Sequence, residues 1–188
     1  MSIVLLGSTS GSCTLQEQAV AGTTVLTLPT TSGTVLTSAS SVTSSQLPVG
    51  SVLQVVSQTF QGTQFSTSSN SMVATGFGVS ITRASATSNI LVSISTSLSY
   101  GGSGQGIAIY RGTTAVWNPS ASDGAGFYGA IFNSHGIVSI EYLDTPPAGS
   151  SFTYNLYTAS RSSTSSTVNI DGVSTDGGTT ITLMEIAA

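Results

Sequence analysis

Between Asn89 and Tyr100 the chain alternates apolar and hydroxyl residues almost without a break. Ile90, Val92, Ile94 and Leu98 fall on one side, and Ser93, Ser95, Ser97 and Ser99 on the other. A period of two belongs to a β-strand, so a run this long commits the chain to a sheet with one dry face and one wet face. The same period places Val138, Ile140 and Tyr142 on one side of a second strand, and Phe152, Tyr154 and Leu156 on one side of a third. Those two strands flank the turn Asp144-Thr145-Pro146-Pro147-Ala148-Gly149, which predicts a hairpin-like pair.

Composition points the same way. About a third of the residues are Ser or Thr and Lys is absent, so propensity favours strands and turns and the predicted class is all-β. Charged residues make up only 5% of the chain, far below the ~25% of ordinary soluble domains. Membrane insertion is not expected, since no stretch approaches the ~20 apolar residues of a spanning helix. Disorder is not expected either, because 39% hydrophobic residues in alternating order can build a core. Arg83, Arg111 and Arg161 lie far apart and the net charge is −4, which leaves no electrostatic footprint for nucleic acid. One cysteine, Cys13, cannot form an intrachain disulfide. The short run Ile3-Val4-Leu5-Leu6 has no cationic stretch before it, so synthesis in a reducing cytoplasm is the expectation.

Three segments follow from the pattern. Residues 1–40 are repetitive: Thr9-Ser10-Gly11 and Thr31-Ser32-Gly33 each lead into a short Thr/Leu stretch, with Ala21-Gly22-Thr23-Thr24-Val25-Leu26-Thr27-Leu28-Pro29 between them. Strands this short cannot satisfy their own backbone groups, so they are expected to pair with neighbouring copies of the chain. Residues 41–48 have linker composition, and residues 49–188 read as an antiparallel β-sandwich or jelly-roll domain. Within it, Val52-Leu53-Gln54-Val55-Val56 and Ile181-Thr182-Leu183-Met184-Glu185-Ile186 carry apolar residues on both faces. A sandwich strand has one inner face, so the second face is expected to meet another subunit, most simply around a threefold axis.

The order of AGTT, LTLP and TSGT through residues 7–37 resembles bacteriophage tail-fibre and related virion proteins. The remainder is similar to the C-terminal β-domains of such proteins and, more loosely, to trimeric jelly rolls of the complement and tumour-necrosis-factor type. The resemblance implies a homotrimeric virion fibre, assembled in the host cytoplasm, whose residues 1–40 dock on other virion proteins while the C-terminal domain faces outward. The expected role is adhesion to the host surface, with a surface glycan as the candidate partner. A head-decoration or baseplate protein that recognises nothing, and a glycan-degrading tailspike, are the alternatives.

No enzyme is expected, and no cofactor, metal or catalytic residue is assigned. His135 is the only imidazole and sits in a turn. The Gly101–Gly106 segment lacks the spacing of a nucleophile elbow or phosphate loop and reads as a hairpin loop. Glu17, Asp123, Glu141, Asp144, Asp171, Asp176 and Glu185 are scattered, with no pair suited to glycoside hydrolysis. Asp144 reads as a turn former, as do Asp171 and Asp176. The one candidate recognition segment runs from Tyr110 to Gly124 and offers Tyr110, Arg111, Trp117, Asn118 and Asp123 as glycan or receptor contacts. An aromatic ring there would stack on a pyranose while polar groups take its hydroxyls. The competing reading is that Val116 and Trp117 pack the core and the rest is connection.

Overall fold

The computed structural model describes residues 3–6, 8–15, 22, 25, 30–32, 41–100, 105–118, 136–160, 166–168 and 178–188. Two compact units are present, Met1–Ser41 and Val42–Ala188, so the division falls at the start of the segment read as a linker. In the first unit, β1 (Ile3–Leu6) and β2 (Ser12–Leu15) form an antiparallel pair in which Leu6 faces Ser12. All four β1 residues are more than half exposed.

The second unit is a β-sandwich. Its strands are β3 (Val52–Phe60), β4 (Phe65–Thr67), β5 (Val73–Thr82), β6 (Asn89–Tyr100), β7 (Gln105–Arg111), β8 (Thr114–Trp117), β9 (Gly136–Asp144), β10 (Ser151–Ser160), β11 (Ser166–Val168) and β12 (Thr179–Ile186). One sheet runs β5-β10-β7-β8. The other runs β3-β12-β6, with β9 on the far edge of β6. β12 pairs Asn89–Ser95 of β6 and β11 pairs Leu98–Tyr100 along the same edge, while β4 beside β11 extends the line of β3. This second sheet is therefore four strands wide, and all its pairs are antiparallel.

The core is what alternation predicts. Ile90, Val92, Ile94 and Leu98 of β6 meet Phe77, Val79 and Ile81 of β5, Ile107 and Ile109 of β7, Tyr154 and Leu156 of β10, and Ile181 and Leu183 of β12. Each such side chain contributes about 1.5–3 kcal/mol through burial. Gly76 breaks the β5 ladder: its φ of +83° allows the bulge at which the β10 register shifts between Asn155 and Tyr157.

One expectation is overturned. Residues 136–144 and 151–160 do not form a hairpin: β9 pairs with β6, whereas β10 lies between β5 and β7. The turn after Asp144 carries the chain across the sandwich instead. Alternation reports which face of a strand is apolar, not which strand lies beside it, and two inner faces can meet across a core as well as side by side.

Candidate functional site

The buried ionisable groups gather at the end of the sandwich where β6 and β10 begin and β5, β7, β9 and β12 finish. In β7, β9 and β12 an ionisable residue takes the last inward position of an apolar series. Arg111 follows Ile107 and Ile109, Asp144 follows Ile140 and Tyr142, and Glu185 follows Ile181 and Leu183. The two sheets are tied here by an ion pair, Arg111 Nη1 to Asp144 Oδ2 at 2.5 Å, whose side chains are 17% and 7% exposed. The Tyr154 hydroxyl donates to the same Asp144 oxygen at 2.6 Å. Burial works against charge on Arg111, but the bond to Asp144 outweighs it and holds the guanidinium pKa above its ordinary value. Burial pushes the Tyr154 phenol up and the Asp144 carboxylate pushes it further, so it remains a donor.

Glu185 is fully buried, and among the described residues no cation lies within hydrogen-bond reach of it. Its carboxylate accepts from Gln54 Nε2 at 2.5 Å, the Ala84 N–H at 2.9 Å, the Ser85 N–H at 3.0 Å and Ser88 Oγ at 2.5 Å. Burial alone would raise its pKa; the four donors reverse the balance and the carboxyl lies below its ordinary range. Arg83 closes the same end. It donates to the carbonyls of Ser88, Pro147 and Gly149 at 2.8, 3.0 and 2.6 Å, with its guanidinium 5.0 Å from the centre of the Phe152 ring. Asp144 is thus no turn former: its side chain serves Arg111 and Tyr154. Asp171 and Asp176 lie outside the described residues.

Among the described candidate contact residues, Tyr110, Arg111 and Trp117 do not share one face. Arg111 turns inward to Asp144. Trp117, paired with Ile109, is partly buried and packs against the core with Val116. Asn118 follows the end of β8, and Asp123 lies outside the described residues, as does His135. Tyr110 points to the outer face of β5-β10-β7-β8, where its ring stacks on Tyr157 with centroids 3.8 Å apart and planes 16° from parallel. Tyr157 is the aromatic that sequence reasoning missed; its position in β10 opposite Ala108 of β7 depends on a register that only the fold supplies.

Among the described residues no three of His, Cys, Asp and Glu converge as a metal site requires. No helix among them is long and apolar enough to cross a membrane. A crevice lined by Ser44, Ser45, Leu47, Ser85, Thr87 and Ala187 offers hydroxyls and apolar groups with no titratable side chain. No family model matches this chain and no curated protein is similar to it.

Proposed function

We propose that the protein is a homotrimeric virion structural protein, most simply a phage tail fibre, in which residues 1–40 attach to other virion proteins and a jelly-roll domain contributes adhesion to the host surface. Strand order supports the jelly roll. β3-β12-β6-β9 facing β5-β10-β7-β8, with the chain crossing between sheets at most connections, is the order of two interlocked Greek keys. Exposed apolar residues on both faces of β1 support an anchor that is ordered against partner strands.

The observation that carries the oligomer is a row across the outer face of β3-β12-β6-β9. Val55, Met184, Leu91 and Leu143 are successive cross-strand partners, and Val55 and Leu143 are each more than half exposed. Beside them lie Ile186 and the exposed Val52. β3 and β12 therefore present apolar side chains outward as well as to the core, and one copy covers only the inner set. Light scattering on the native protein tests this. A mass of three chains is expected, with Val55→Asp combined with Leu143→Asp reducing it to one; a single-chain mass for the unaltered protein removes the reading.

A head-decoration or baseplate element without receptor binding is the second reading. It is favoured by the inward commitment of Arg111 and Trp117, which leaves two of the five contact candidates only partly exposed. Labelling the protein on intact particles distinguishes a distal fibre tip from a head or baseplate position.

A further inference from the structure

The outer face of β3-β12-β6-β9 is laid out in rows that run straight across its strands. Beyond the apolar row of Val55, Met184, Leu91 and Leu143 comes Ser57, Thr182, Ser93 and Glu141, and after it Thr59, Thr180, Ser95 and Ser139. In every row the β3 and β9 members are exposed and the β12 and β6 members half-buried, so this face and both its margins are open to solvent. The margins differ in charge. β9 carries Glu141, the one ionisable side chain in these rows, whereas β3 offers only Val55 and the hydroxyls of Ser57 and Thr59. We infer that copies of the chain join by unlike margins, the β3 side of one against the β9 side of the next, with strands along the threefold axis, each row continued at its own level, and Met184 and Leu91 turned to the axis. The inference rests on the trimer reading above and adds which surfaces meet.

Symmetry and charge select this pairing. A two-fold axis joins a patch to its own copy, whereas a closed ring of three joins two different patches of each chain. The apolar row ends in an exposed side chain at each margin, Val55 on β3 and Leu143 on β9, so contact between unlike margins covers both at once. At the next level the same contact sets the Glu141 carboxylate beside Ser57 of the next copy, whose hydroxyl can donate to it. Contact between two β9 margins would bring Glu141 against its own copy, and like charges in opposition are destabilising. Contact between two β3 margins avoids that clash but leaves Leu143 in water. Within one chain Ser57 and Glu141 stand three strand spacings apart. That is about 14 Å, beyond a Debye length of about 8 Å at physiological salt, so an electrostatic coupling between them reports contact between copies.

The test uses the full-length protein with Cys13→Ser, which removes the one native cysteine. Val55→Cys and Leu143→Cys in the same chain, treated in dilute solution with a short bismaleimide, are expected to give covalent species of up to three chains on a denaturing gel. Either cysteine alone is expected to give single chains. Covalent dimers from a single-cysteine variant would reveal a two-fold contact and overturn the inference, as would the lack of covalent species from the paired variant while its native mass is that of three chains. If the paired variant does not assemble, charge decides. Ser57→Asp is expected to raise the concentration at which trimers dissociate by about threefold, and Glu141→Lys added to it to restore the unaltered value. A Glu141→Lys effect that is the same with Ser57 and with Asp at that position overturns the pairing. Mass on the same samples keeps the two ideas apart: trimers with the wrong crosslinks sink the margin pairing alone, whereas a single-chain mass for the unaltered protein sinks the trimer reading itself.

Discussion

The two ends of the sandwich solve the same problem with different chemistry. Where β6 and β10 begin, the inner layer closes with ions: Arg111, Asp144 and Tyr154 in one cluster, Glu185 with four neutral donors in another, and Arg83 against three carbonyls. Where β6 ends and β12 begins, the described inner groups are neutral. Thr96 and Thr179 share a hydrogen bond of 2.7 Å, and Gln105 donates to Thr158, which donates to the Gly106 carbonyl. Removing one member of a buried charged set strands a charge, whereas removing a hydroxyl strands only a dipole, so the first end is expected to be far less tolerant of change. Both described arginines are used there, which leaves the described outer surface of the second unit without a cation and dependent on hydroxyl pairs such as Ser57 with Thr182 and Thr59 with Thr180.

Asp144→Ala is the harshest test of that contrast. It leaves Arg111 charged in a mostly buried position and deprives Tyr154 of its acceptor, so a loss of about 3–5 kcal/mol is expected in urea unfolding. A loss below about 1 kcal/mol would mean that solvent reaches Arg111 and that this end is no more demanding than the other.

Glu185→Gln ranks next. A neutral amide in that pocket turns one acceptor into a donor facing other donors, and about 1–3 kcal/mol should be lost at pH 7. The pH dependence carries a sign. Because the folded carboxyl lies below its ordinary value, its stabilisation is complete above the unfolded carboxylate range near about 4.3 and fades as pH drops through the folded value. The unaltered protein should therefore weaken on acidification below about pH 4, and the Gln variant should show a shallower acid limb. Rising stability on acidification of the unaltered protein would show that desolvation of Glu185 wins over its donors.

These inward ions were legible in a way that a sweep for catalytic motifs passes over. Alternation placed β6 at Asn89–Tyr100 and identified the two-faced strands at residues 52–56 and 181–186. It also places Arg111, Asp144 and Glu185 on the same parity as the apolar residues before them, and a charge at an inward position of a strand announces a buried network. What parity cannot supply is the partner. Asp144 lies in β9 and Arg111 in β7, strands of different sheets, so their meeting follows from which strands face one another across the core. The same limit hid Tyr157 from Tyr110 and suggested a hairpin between β9 and β10. Contacts set by cross-sheet placement or by register at a bulge have no local signal in a chain this uniform in Ser and Thr.

The mildest prediction probes the neutral end. Thr96→Val or Thr179→Val alone leaves one fully buried hydroxyl without its partner and should lower stability by about 1–2 kcal/mol. Thr96→Val together with Thr179→Val removes both hydroxyls and keeps both branched shapes, so the pair should fall within about 0.5 kcal/mol of the unaltered protein. A double-mutant cycle by urea unfolding measures this directly. The coupling should nearly cancel the two single losses, which no ion-bearing pair at the opposite end is expected to do, because Val has the shape of Thr but not of Arg or Asp. Additive losses in the double variant would instead mean that each hydroxyl has a structural task beyond the other, and the neutral end would then be as specifically built as the charged one.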